Sequence, residues 1–179
     1  MAHRPRLLVD LSPLRESRDF RLLFYGGGIS HLGRQFTVVA IPYQVFLLTR
    51  SSLAVGMVGL VTVAPLVTLS LAGGAIADAV DRRKLLLVTQ LLSAGTSAGL
   101  AVNAALPSPR LWPIYLLAAL SAGLAGVDHP ARNAIIPGLV GRRLFPSAAA
   151  LGQIQFQAGQ VVGPALAGLV ISRVNLAAA

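Results

Sequence analysis

Residues Leu53 to Ala77 form an uncharged run of Val, Leu, Ala and Gly that closes in Asp78-Ala79-Val80-Asp81-Arg82-Arg83-Lys84. A helix needs about 20 apolar residues to cross the bilayer hydrocarbon, and this run is longer than that. Four similar runs lie around it, at about 20–48, 85–106, 111–135 and 148–171. Inside lipid, only helices and closed barrels satisfy their own backbone hydrogen bonds. The runs are roughly twice the length of a barrel strand and lack period-two alternation, so they predict helices. Pro42, Pro65, Pro113 and Pro164 lie within them, where neighbouring helices can re-satisfy the freed carbonyls. The expectation is an all-α membrane protein with five transmembrane helices.

The composition agrees. Of 179 residues, 55% are hydrophobic and 12% charged, with mean hydropathy +0.72 and no cysteine. That excludes a disulfide scaffold and thiolate metal sites. No phosphate loop, metal-ligand spacing or nucleophile elbow appears, so the chain is expected to be no enzyme, with no metal and no cofactor. The net charge of +9 reads as topology rather than nucleic-acid binding. Arg4, Arg6, Arg15, Arg18, Arg21, Arg82, Arg83, Lys84, Arg132, Arg142 and Arg143 fall on one side of the expected membrane. Only Arg50, Arg110 and Arg173 fall on the other, with Arg34 inside a span. The positive-inside rule then makes residues 1–18 a cytoplasmic segment, 19–172 the bundle and 173–179 a short extracytoplasmic tail. The expected location is the cell (inner) membrane, multi-pass, with the N-terminus cytoplasmic. Ser12-Pro13 reads as the cap of a short interfacial turn and a serine of Thr49-Arg50-Ser51-Ser52 as a helix cap. A loop is expected around Gly141-Arg142-Arg143.

Gly74, Asp78, Arg82 and Arg83 in the turn after the second run admit two readings. Gly74 lets another helix approach, and Asp78 pairs with Arg82 or Arg83 or faces a helix N-terminus, making a latch between rocking bundles. The plainer alternative is a positive-inside loop. The spacing resembles the signature of the major facilitator superfamily: glycine, three residues, aspartate, then a basic pair four and five positions on. Ala79 stands where that signature has a basic residue and Asp81 where it has glycine. The Asp81-Arg82-Arg83 form looks like the branch containing enterobactin exporters and macrolide-efflux proteins. Gly159, Gly163, Pro164 and Gly168 in the fifth run resemble the helix-five pattern of antiporters in that superfamily, with Ala167 replacing one glycine. As residues, they describe a bent helix with two small-residue steps suited to tight packing. Ala40-Ile41-Pro42, Leu48 to Gly56 and Pro130 to Ala134 are similar to the same branch.

Polar groups inside spans are costly and mark functional candidates. His31, Arg34 and Gln35 share one helix face and are expected to point inward, with Arg34 holding either an anionic substrate or an acidic partner. Structural bonding to backbone carbonyls is the alternative. Gln153, Gln157 and Gln160 form a stripe suited to a cavity or to inter-helix bonds. Gln90, Ser93 and Ser97 form a shorter one, where inter-helix bonding is the favoured reading for the serines. Asp128 and Arg132 are one turn apart near the expected cytoplasmic end of the fourth span, which favours an interfacial ion pair over a proton-coupling site. Asp128 and His31 are nevertheless the places to look for a carried proton.

The resemblance implies a bundle built from inverted three-helix repeats and proton-coupled efflux of a siderophore or drug-like molecule. Five helices would be an incomplete N-terminal six-helix half, a truncated portion inactive alone and lacking its C-terminal half. The implied partners are the lipid bilayer, a small-molecule substrate and protons, with no nucleic acid. The alternative is a non-transporting structural or interaction protein that assembles with another chain.

Overall fold

The computed structural model describes residues 10–173 and, within them, all side chains except those of residues 75–78. Five helices follow in order: α1 (Ser12–Glu16), α2 (Arg18–Thr49), α3 (Ser52–Ala79), α4 (Arg82–Ala105) and α5 (Leu111–Arg173). No strand occurs among the described residues. Ser17 opens α2 by accepting a hydrogen bond from the Phe20 amide at 3.1 Å, and Arg50 ends it in the left-handed region at φ 52°. Ser51 caps α3 by accepting from the Ala54 amide at 3.4 Å. Leu11, not Ser12, occupies the cap position of α1, and the preceding Asp10 accepts through Oδ1 from the Ser12 amide at 3.0 Å and the Ser12 hydroxyl at 2.6 Å.

No loop separates the fourth and fifth apolar runs. Helix α5 continues through both, and only Gly141, at φ 72° and ψ 168°, leaves helical geometry. A straight helix of 63 residues would extend about 95 Å, roughly three times the hydrocarbon thickness. A residue without Cβ adopts positive φ readily, so one glycine turns the rod into two arms, 111–140 and 142–173. Both arms therefore extend beyond the expected 111–135 and 148–171.

Helix α5 packs against every other helix and is the axis of the bundle. Its first arm lies against α3 at glycine contacts: a Cβ at Gly126 would sit 2.8 Å from the Leu66 carbonyl oxygen, and one at Gly73 would sit 3.0 Å from the Gly126 oxygen. The residue that permits this approach to α5 is Gly73. Gly74 has no described neighbour within 4 Å of an added Cβ.

The outside of the bundle is apolar, with Leu53, Leu71, Leu91 and Val161 each at least 73% exposed. In water, such a surface would be expelled. Helices α3, α4 and α5 are long and apolar enough to cross a membrane. Helix α2 has the length, but Arg34, Gln35 and Gln44 lower its mean hydropathy. Inside, two apolar plugs close the ends: Ile41, Val45, Val58, Leu100, Ile114 and Ala118 at one, and Phe20, Ala148 and Leu151 at the other. His31, Thr89 and Asp128 lie between them, whereas Gln44 is level with Ile41 and Val45 and Asn103 bonds Arg110 at the α4–α5 turn.

Candidate functional site

Asp128, on the first arm of α5, is 1% exposed and receives donors from three helices. Its Oδ1 accepts from Gln90 Nε2 at 3.0 Å and Thr89 Oγ1 at 3.3 Å, both on α4. Its Oδ2 lies 3.5 Å from Arg34 Nη1 on α2 and 3.5 Å from Arg132 Nη2 one turn along α5. A buried carboxylate needs donors on both oxygens, and this one has them. Arg34 stands halfway between Arg18 and Thr49, so the cluster lies deep in the bundle. The first arm runs on to residue 140, so Asp128 lies within the helix rather than at its end. Of the alternatives for Arg34, the acidic partner is present.

Backbone glycines make room for the long side chains. A Cβ at Gly27 would collide with the Arg132 guanidinium, and one at Gly28 with the Gln155 amide. Both side chains cross to α2 and donate to its backbone, Arg132 Nη1 to the Leu23 oxygen at 3.4 Å and Gln155 Nε2 to the Phe24 oxygen at 2.9 Å. Gly26-Gly27-Gly28 is the signal in the sequence that could have revealed this contact, since three consecutive glycines in a helix are unfavourable unless something needs the space.

The second arm meets α2 in the same way. His31 and Gln35 are spaced i, i+4, as are Gly159 and Gly163. An added Cβ at Gly159 would strike the His31 ring, and one at Gly163 would strike Gln35. The tight packing read from the glycine motif thus has two partners, a ring and an amide set into notches. Gln35 Nε2 lies 3.3 Å from His31 Nε2, and the His31 ring stacks on Phe156 with centroids 4.7 Å apart. His129 meets the same phenylalanine edge-on at 5.9 Å. Pro164 continues the helix, and an added Cβ at Gly168 would meet no described atom within 4 Å.

A cavity of about 410 Å³ opens between these elements, lined by His31, Arg34, His129, Arg132, Asn133 and Gln153 among others. Gln153 therefore reaches a cavity, but Gln157 and Gln160 are exposed on the outer side of the arm and do not. All three glutamines share one exposed helix face, and of them only Gln153 is near enough to line this cavity. In α4, Gln90 serves Asp128, while Ser93 and Ser97 line cavities. The inter-helix hydroxyl bond is made instead by Ser121 to Thr96, at 2.9 Å.

At the α3–α4 turn, the side chain of Asp78 lies outside the described residues. Arg83 pairs with Asp19 at 2.9 Å, and Arg82 Nη1 donates to the Ala134 oxygen at 2.9 Å. Asp81 caps α4, accepting from the Arg83 amide at 2.8 Å and the Lys84 amide at 3.2 Å. The Lys84 amide, then the Arg83 amide, hold its carboxyl below the usual carboxylate range.

The model of the transmembrane secretion effector family matches residues 9–179. The chain belongs to this family of major facilitator transporters. Among curated relatives, enterobactin exporter EntS of Salmonella paratyphi A is 32% identical over 170 residues, covering 95% of this chain and 41% of that protein. The proteins of the same name from Citrobacter koseri and Escherichia coli O1:K1 / APEC are 31% and 32% identical, over 95% and 92% of this chain and 41% and 40% of their own lengths. The chain thus spans about two fifths of these relatives. No solved structure matches it. Membership places it in a family of membrane transport proteins rather than of enzymes.

Proposed function

We propose that the chain is the N-terminal portion of a major facilitator exporter, lying in the inner membrane with its N-terminus cytoplasmic, and that the complete protein couples protons to the efflux of a siderophore or drug-like molecule. The observation that carries this reading is Asp128, a carboxylate deep in the bundle gathered by donors from three helices. An intramembrane acid gathered by donors from three helices is suited to exchanging a proton as the hold of those donors changes. The relatives' name supports the export direction, and the distribution of basic residues supports the orientation.

A sixth helix would complete the half. Support comes from a groove of about 460 Å³ between α2 and α4, walled by small residues including Gly33, Ala40, Ala94, Ala98 and Ala101. Small residues let helix backbones approach closely in lipid. Gln44, 5% exposed, lines this groove, and its Nε2 has no described partner. A transmembrane helix bearing an acceptor would fill the space and satisfy that amide.

The test is efflux from proteoliposomes under an imposed proton gradient, comparing this chain with the reading frame extended through the downstream DNA. The extended protein transports and the 179-residue chain alone does not; proton-linked efflux by the chain alone overturns the reading. In the extended protein, Asp78→Asn impairs transport with insertion intact if the α3–α4 turn is a latch, and unchanged transport rejects the latch.

A further inference from the structure

The charges inside the bundle do not balance. Five of the six acidic residues, Asp10, Glu16, Asp19, Asp78 and Asp81, belong to the N-terminal stretch or the α3–α4 turn. Asp10 binds Ser147, Glu16 pairs with Arg143, Asp19 with Arg83, and Asp81 caps α4. Among the described side chains, only Asp128 is left for the interior, where one of its oxygens faces both Arg34 and Arg132. The two guanidiniums keep 25% and 21% side-chain exposure, against 2% for Asp128. Both line the 410 Å³ cavity.

A surplus positive charge at this depth costs several kcal/mol unless an anion or water meets it. The cavity is furnished for an anion. Asn133 and Gln153 bring amide donors, and His31 and His129 bring ring nitrogens. Ile136, Phe145 and Phe156 supply an apolar wall for a hydrocarbon body. No described carboxylate lines it. We propose that this cavity binds a small organic anion, an aromatic carboxylate or phenolate, whose charged oxygens meet Arg34 and Arg132 where they line the cavity while its ring lies on the apolar wall. The proposal rests on the exporter reading and narrows its cargo to molecules that present such an anionic group. Asp128 then competes with the ligand for the same two guanidiniums, which gives the site a distinctive sign.

The experiment uses the purified 179-residue chain in neutral detergent with gluconate as the only background anion. Benzoate, neutral benzyl alcohol, benzyltrimethylammonium and chloride are each titrated by calorimetry and by thermal unfolding. Benzoate binds saturably and raises Tm, the neutral and cationic probes do not, and chloride competes weakly. Arg34→Gln and Arg132→Gln each weaken benzoate by about tenfold, the scale of one charge-assisted contact. Asp128→Asn tightens it, because the competing carboxylate is gone. Benzoate binding equal to that of benzyl alcohol, or unchanged in an Arg34→Gln/Arg132→Gln double variant, overturns the site, as does chloride binding with no preference for the ring. If Asp128→Asn does not fold, the arginine variants decide alone. Efflux of neutral or cationic cargo by the extended protein, with no benzoate binding here, would overturn the anion site and leave the exporter reading standing; benzoate binding without any efflux would do the reverse.

Discussion

Two of the arginine–carboxylate sites among the described residues differ in their surroundings, and distance ranks them in the wrong order. At the α3–α4 turn, Arg83 and Asp19 are 2.9 Å apart but 67% and 57% exposed. In the interior, Arg34 and Arg132 stand 3.5 Å from an Asp128 side chain that is only 2% exposed. Exposed pairs are weakened by water and salt and contribute little. A desolvated carboxylate cannot trade its partners for water, so its loss leaves two guanidiniums without their counter-charge. The surroundings, not the geometry of contact, set what each pair does. The turn tolerates change, and the interior does not.

The largest expected effect follows from removing that counter-charge. Asp128→Ala should destabilise the bundle by on the order of 3 kcal/mol, measured by denaturant unfolding in detergent, and it should abolish efflux by the extended protein. An effect no larger than that of Arg83→Ala would erase the contrast between the two regions. Next comes packing between the two faces that hold the interior cluster. Gly159→Ala forces the His31 ring off its place against Phe156, and overpacking of this kind costs about 1–3 kcal/mol; Gly168→Ala, where an added Cβ meets no described atom within 4 Å, should leave Tm nearly unchanged. Equal losses would show that the notch at His31 does not matter.

How much of this was legible depends on whether the cause was local. Asp128–Arg132 is an i, i+4 pair and could be read from sequence, whereas Arg34 lies 94 positions before Asp128 and meets it only through the packing of α2 on α5. That long-range meeting is why the pair read from sequence is part of a cluster drawn from three helices. The apolar runs gave the helices because burial in lipid imposes length and composition. They could not show that one glycine with positive φ does the work of the expected loop at Gly141. Gln155 stands outside the regular stripe of Gln153, Gln157 and Gln160, and its neighbour in space is Gly28, which sequence order hides. Asp81, a departure from the resembled signature, has a local reason: it caps α4.

That cap gives a smaller effect with a defined pH dependence. The Asp81 carboxyl is held below its ordinary range by amide donors, so its contribution is complete at neutral pH and fades as pH falls through the folded-state value. Asp81→Ala should lower Tm slightly at pH 7, and the two curves should converge below the usual carboxylate range; a difference that persists in acid would mean the cap is not responsible. The smallest effect belongs to the exposed pair, where Arg83→Ala should cost about 0.5 kcal/mol or less and vanish in high salt.

The most direct measurement is a double-mutant cycle between Asp128 and Arg34. Asp128→Asn alone leaves surplus positive charge inside the bundle, and adding Arg34→Gln removes one of the stranded guanidiniums. The double variant should therefore be more stable than the sum of the single losses predicts, with a coupling of about 1–3 kcal/mol. Strict additivity would contradict the claim that an interior charge cluster, rather than helix packing alone, joins these elements.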